Sequence, residues 1–245
     1  MGAGTKYAVL GDIHGNIEAL EAVLERSAQL GVTAYASVGD LVGYNACPGE
    51  CVDRIASLKT ACVLGNHDYY CSNEEALRDL HPLAASVVEW TRHVLTDSQK
   101  DYLRKLRQKR LVDGFTLVHS TLDAPERWGY VFDELQAEAH FAYQTSAVCF
   151  HGHTHVPVVF QKTTDRTIRL PPETISPSFG HKLFINVGSV GQPRDGDPRA
   201  CFVTYEVETK TVEFHRVGYD VAASQKRILD AGLPERLALR LALGK

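Results

Sequence analysis

The residues of this 245-residue chain best suited to chemistry come in short clusters of Asp, Asn and His set among glycines. Gly11-Asp12-Ile13-His14-Gly15-Asn16 joins a carboxylate to an imidazole two positions on, and Gly39-Asp40 supplies a second carboxylate. Gly65-Asn66-His67-Asp68, His119-Ser120 and His151-Gly152-His153-Thr154-His155 add an amide and five imidazoles. Six of the eleven histidines therefore lie in these clusters. Mixed nitrogen and oxygen donors of this kind favour manganese, iron, zinc or nickel over magnesium or calcium. Asp12 and His14 are two apart, which in an extended segment turns both side chains the same way. Singly, each has a plain structural explanation: His119 as a packed strand histidine, Asn66 as a turn residue, Asp40 as a helix cap.

The clusters gain meaning from what precedes them. Each follows an apolar run that reads as a strand, at residues 6–10, 34–38, 61–64, 115–119 and 147–150. Asn16 is a good N-cap for a helix whose Ile17, Leu20, Val23 and Leu24 share one face. Residues 48–58 read as a helix with Pro48 in its first turn. Alternating strands and helices predict βαβ units with a parallel sheet, whose carboxyl edge is where ligands bind.

Further on, Leu83, Val87, Trp90 and Val94 keep a helical period, and Thr96 with Gln99 forms a capping box for the next helix. That helix is expected to run into the basic stretch 104–110, read as a solvated helix face. Strands are expected at 156–160, 183–187, 201–207 and 212–217, with a helix at 134–143 and a loop or hairpin insertion at 163–181. A C-terminal helix at 233–243 would be packed or dimer-forming. No repeat or linker divides the chain, which predicts one domain over residues 1–245.

Composition narrows the function. With 44% hydrophobic and 23% charged residues the chain is globular rather than disordered. Lys plus Arg total 26 against 30 Asp plus Glu, and a net charge of −4 gives no general attraction to nucleic acid or anionic membrane. No apolar run approaches the roughly 20 residues of a membrane span, and residues 1–10 do not read as a secretory signal, so a cytoplasmic location is expected. The six cysteines form no CxxC pair and read as reduced thiols.

As a set, the blocks GDIHGN, GDLVGYN, GNHD, LVHS and HGHTH, with NVGSVGQPR further on, resemble the calcineurin-like metallophosphoesterases. The likeness is strongest to their small stand-alone prokaryotic phosphodiesterases. It implies an α/β sandwich of two mixed β-sheets flanked by helices. It also implies two divalent transition-metal ions. Asp12, His14, Asp40 and His155 would hold the first; Asp40, Asn66, His119 and His153 the second, with Asp40 bridging ions roughly 3.5–4 Å apart. The implied reaction is hydrolysis of a phosphate ester by a bridging hydroxide, with His67 protonating the leaving group.

Departures from the family pattern refine this. Leu-Val-Gly-Tyr-Asn follows Asp40 in place of the Asp-Arg of protein Ser/Thr phosphatases. That disfavours protein phosphatase and leaves His67 without its usual orienting carboxylate. Ser120 stands where Gly is commoner and either fits the turn or donates to a phosphate. His151 is a candidate to hydrogen-bond a ligand or substrate. Tyr44, Arg127 and Arg194 are candidate substrate residues, since Arg pairs with phosphate and aromatic rings stack on bases. A small nucleotide-type phosphate ester is the expected partner, with a homodimer compatible. One rival is a protein-binding scaffold of the same fold, which would be expected to lose ligands. Another is a nuclease, which would need a basic groove near residues 104–110 beside the metals.

Overall fold

The computed structural model describes residues 4–78 and 80–245. Strand β1 (Lys6–Leu10) leads into α1 (Ile17–Gln29), where Asn16 caps by accepting the Ala19 N–H at 3.1 Å. Next come β2 (Ala34–Ser37), α2 (Pro48–Ser57), β3 (Ala61–Cys62) and α3 (Asn66–Ser72). Helices α4 (Pro82–Val94) and α5 (Asp97–Arg104) follow, the second opened by the expected Thr96/Gln99 capping box. Then β4 (Lys109–Val112), β5 (Phe115–Val118), a 3-10 turn at Pro125–Arg127, and α6 (Glu134–Phe141) precede β6 (Val148–His151) and β7 (Val158–Lys162). The chain ends with β8 (Thr167–Leu170), β9 (Lys182–Asn186), β10 (Ala200–Glu206), β11 (Thr211–Val217), α7 (Val221–Asp230) and α8 (Glu235–Leu241).

Two mixed sheets result, with strand orders β11-β10-β1-β2-β3 and β4-β5-β6-β9-β7-β8. The neighbours β1, β2 and β3 are parallel, as are β5, β6 and β9. The period of two along each strand builds the layers. In β1, Val9 packs with Phe115, Leu117, Phe150 and Ile185 of the other sheet. Ala8 and Leu10 face the opposite way, onto Leu20 and Val23 of α1 and Ile55 of α2. The second sheet covers its outer face with Ala137 and Phe141 of α6 against Phe160 and Phe184. This is the expected sandwich of two mixed sheets flanked by helices.

The basic stretch departs from expectation. Helix α5 stops at Arg104, and Lys109 and Arg110 are exposed on β4, an edge strand. Val112 pairs with Phe115 across Asp113-Gly114, both at positive φ, which is a two-residue hairpin turn. Charged side chains on such an edge oppose pairing with other chains. The insertion at 163–181 holds the turn and β8, which pairs back on β7 as a hairpin, followed by irregular chain. Helix α8 is packed: Leu237, Ala238 and Leu241 are buried with Ile228 of α7 and Val87 of α4. All six cysteines are buried and free. No helix among the described residues is long and apolar enough to cross a membrane.

Candidate metal centre

The strand ends that carry the clusters converge at the carboxyl edges of β1, β2, β3, β5 and β6. The backbone there is not extended, contrary to the expectation for Asp12 and His14. Asp12 (φ 51°), His14 (50°), Asp40 (54°), His153 (70°) and His155 (61°) all adopt the left-handed region that non-glycine residues avoid. Such strain persists only where surroundings over-determine it. Here Asp12 N–H donates to Gly39 O, His14 N–H to Asp40 O, and Gly191 N–H to Asp12 O, at 2.9–3.1 Å. Asn45 Nδ2 donates to His14 O at 2.8 Å and Ser189 Oγ to Asp12 O at 2.7 Å.

Each carboxylate is aimed by backbone N–H groups of a neighbouring loop. Asp40 Oδ1 accepts from His67 N–H at 2.8 Å, and Asp12 accepts from His153 N–H at 3.1 Å. Gly65 makes this possible, because a Cβ there would lie 2.1 Å from Asp40 Oδ1.

The imidazoles are aimed from behind by main-chain carbonyls. His14 Nδ1 lies 2.9 Å from Val42 O, and His155 Nδ1 lies 2.7 Å from Gln192 O. A carbonyl only accepts, so each Nδ1 carries the proton and each Nε2 presents a lone pair. Those two Nε2 atoms face one another at 3.1 Å. His119 Nδ1 likewise donates to Val38 O, and His153 Nε2 to Trp128 O, both at 2.9 Å. This brings His119 Nε2 within 3.1 Å of His153 Nδ1 and 3.0 Å of Asn66 Oδ1. Carboxylate oxygens complete both groups. Asp12 Oδ1 is 3.3 Å from His155 Nε2, and Asp40 Oδ2 is 3.5 Å from His14 Nε2 and 3.4 Å from His119 Nε2.

Burial pushes His14 and His155 well below the ordinary imidazole range, so neither holds a second proton at neutral pH. Two neutral nitrogens then aim lone pairs at each other beside two carboxylates, an arrangement that a cation between them relieves. Donors about 2.1 Å from one tetrahedral ion lie about 3.4 Å apart, close to the separations found. The donor set therefore fits a divalent metal. Around His119 the balance differs. Burial lowers its pKa, but the Asp40 carboxylate outweighs this and raises it to about 9, so a metal there must displace a proton. Burial also opposes the charge on Asp40, yet His119, His67 and His14 hold its carboxyl well below the usual carboxylate range.

His67 is buried, and it can join His14 and Asp40 in a ligand-sized group. Among the described residues no carboxylate hydrogen-bonds its ring. Its ring packs at 4.4 Å from the Tyr44 ring and 4.9 Å from that of His14. Its Nδ1 is buried without a hydrogen-bond partner. That atom abuts Gly43, where a Cβ would approach to 2.5 Å. Burial lowers the His67 pKa to about 4.

Other candidates lie at varying distances from the centre. Tyr44 stacks edge-on against His14 at 4.7 Å, with the Arg194 guanidinium 5.5 Å from its ring. Ser120 is buried, and its Oγ reaches Pro125 O at 3.5 Å. Arg127 is exposed on the 3-10 turn, with no ion pair among those of the described residues. His151 is buried against Phe184 at 3.8 Å, with its Nδ1 3.5 Å from Asn186 Nδ2.

Two residues that sequence reasoning passed over organise the site. Asp68 accepts the N–H groups of Asp40, Leu41, Val42 and Gly65 at 2.8–3.3 Å, fixing the loop that carries Asp40. Asn186 donates to Gly152 O at 2.6 Å and Thr154 Oγ1 at 2.9 Å, and accepts from Gly188 N–H at 2.9 Å. Their signal was position: each lies within a Gly-rich block at a strand end.

The family model of the calcineurin-like phosphoesterase superfamily domain matches residues 6–210. The chain belongs to that superfamily. As a phosphoesterase it is similar to an uncharacterized protein of Methanocaldococcus jannaschii, 34% identical over 97% of this chain and 98% of the relative. It is also similar to the crystal structure of a metallophosphoesterase from Sphaerobacter thermophilus, at TM-score 0.89 and 36% identity over 99% of this chain and 100% of that one. A hypothetical protein from Pyrococcus horikoshii shares the fold at TM-score 0.82 and 20% identity, covering 98% and 99% of the two chains. Membership makes metal-dependent hydrolysis of phosphate esters the activity of this fold and centre.

Proposed function

We propose that the chain hydrolyses small, nucleotide-type phosphate esters at a dinuclear centre. In this reading Asp12, His14, Asp40 and His155 hold one ion, and Asp40, Asn66, His119 and His153 the other. The observation that carries it is the facing His14 and His155 lone pairs at 3.1 Å. Across Asp40, His119 Nε2 and His153 Nδ1 lie 3.1 Å apart, and there a metal would take the place of the His119 proton. Two divalent ions would supply Lewis acidity toward the phosphoryl oxygens and lower the pKa of water. Asp40 orients both groups, and the backbone bonds behind the imidazoles keep their lone pairs inward. His67 stands beside Asp40 and His14, where it can give a proton to a departing oxygen. Burial keeps the free imidazole neutral at neutral pH, so the acid role requires a bound phosphate anion to raise its pKa and favour the imidazolium.

The rim supports a nucleotide. Tyr130, half exposed, stacks on His153 at 4.1 Å and on Phe132 at 5.5 Å. Trp128 lies 6.1 Å from Tyr69 on the same side. Such rings give a base a stacking surface. The sequence retains every residue of the expected ligand set, which supports an enzyme over a scaffold.

The test is hydrolysis of bis-p-nitrophenyl phosphate by metal-stripped protein with manganese, zinc, nickel or iron added back. Metal-dependent turnover is expected, and His67→Ala should lower kcat about 100-fold or more while metal content stays unchanged. Absence of turnover with every metal contradicts the diesterase reading, and loss of metal from His67→Ala would make His67 a ligand instead.

A further inference from the structure

Next to the centre lies a cavity of about 200 Å³. Tyr44 and Arg194 form the wall it shares with the centre, and Arg236 and Arg240 of α8 face them. His81 and the first turn of α4, at Leu83 and Ala84, close it. Arg236 and Arg240 are four apart on one helical face, where like charges repel. Leu237, Ala238 and Leu241 bury the neighbouring face and fix that orientation.

Among the described residues no acidic side chain pairs with the charge there. The arginine ion pairs among the described residues belong to Arg54, Arg104, Arg199, Arg216 and Arg227. Arg194 Nη2 bonds the Gln192 amide oxygen at 2.9 Å, while its Nε is buried without a partner. Arg240 Nε bonds the Lys245 main-chain oxygen. Burial and the charges of Arg194 and Arg236 lower the Arg240 pKa. His81 Nδ1 accepts the Leu83 N–H at 3.2 Å, which puts its proton on Nε2 as a further donor. The N-terminus of the 13-residue α4 adds the positive end of its dipole. Three guanidinium groups, an imidazole N–H and a helix N-terminus around one small cavity are a site built for a phosphoryl anion.

We propose that this cavity is a second phosphate subsite, and that the preferred substrate carries a phosphoryl group besides the one hydrolysed. The inference rests on the phosphoesterase reading of the neighbouring centre. Arg194 links the two, being in the cavity wall and close enough for its charge to bear on His14 and His155. A nucleotide bisphosphate has the matching chemistry, with its scissile phosphate at the centre and its second phosphate among the arginines.

The experiment compares adenosine 3′,5′-bisphosphate with adenosine 5′-monophosphate as inhibitors of bis-p-nitrophenyl phosphate hydrolysis by manganese-loaded protein. Calorimetric titration of metal-stripped protein with the bisphosphate gives a readout independent of turnover. Wild type should favour the bisphosphate at least about tenfold, and Arg236→Ala/Arg240→Ala should abolish that preference and weaken the calorimetric Kd about tenfold. Arg236→Lys/Arg240→Lys, which keeps charge and fold, should restore part of it. Lys226→Ala, on the exposed side of α7, should match wild type. Equal affinity for the two nucleotides in wild type, or a preference that survives loss of both arginines, overturns the proposal. So does a cavity that takes free inorganic phosphate as tightly as the bisphosphate. Absence of turnover on bis-p-nitrophenyl phosphate would remove the phosphoesterase reading alone, and the titration would still decide the subsite.

Discussion

Two groups of buried histidines share the core and do different work. His14, His155, His119 and His153 each bond a main-chain carbonyl with one nitrogen and turn the other toward Asp12 or Asp40. His140 and His151 instead lie against Phe184, with ring centroids 3.4 and 3.8 Å away. Their Nε2 atoms are buried without a partner, and neither belongs to a ligand-sized group among the described residues. Burial depresses the pKa of both, to about 3 in His140. Burial and a low pKa therefore do not separate a ligand from a packed ring. What does separate them here is the convergence of ring nitrogens with a carboxylate in a ligand-sized group.

The sharpest way to break the comparison is Asp40→Asn. It removes the anion common to both ligand groups and should lower turnover more than about 100-fold, with metal analysis showing loss from the protein. Loss of activity with full metal retention would mean that Asp40 acts otherwise than as a shared ligand. Asn186→Ala sits between the two groups, since Asn186 ties the loop carrying His153 and approaches His151. It should cost about tenfold in activity and about 1–3 kcal/mol of stability from unpaired buried groups, read by kinetics and denaturant melts.

The smallest effect belongs to His140→Phe. Its Nδ1 accepts the Leu122 N–H at 3.2 Å, so the variant should be less stable at pH 8. Because the folded pKa is about 3 and the unfolded value about 6.5, only the unfolded wild type gains a proton as pH falls through that window. Wild type thus loses stability on acidification, and the gap to the variant should narrow by about 2 kcal/mol between pH 8 and pH 5. Parallel pH–stability curves would show that His140 is not held neutral by its packing.

Much of this was legible in the residues. The βαβ start, the Asn16 cap and the clustering at strand ends follow from periodicity and side-chain chemistry. The fate of the basic stretch was not, because tertiary pairing with β5 overrode a helical pattern; the Asp113-Gly114 turn was the local clue. Helix α7 was missed although Asp220 caps it, since its apolar face shows only against α1 and α8. The left-handed backbone at Asp12 and His14 could not be read from a spacing of two. Nor could the packing of His67 on Tyr44 or the meeting of Arg194 with α8, which join residues far apart in the chain.

The most direct test of the central claim is a manganese titration of metal-stripped protein at pH 7.5, followed by calorimetry and electron paramagnetic resonance. Two ions per chain with a spin-coupled signal, lost in Asp40→Asn, is the predicted result, because ions sharing one carboxylate lie roughly 3.5–4 Å apart. A single ion per chain, or two uncoupled ones, would contradict a dinuclear centre bridged by Asp40.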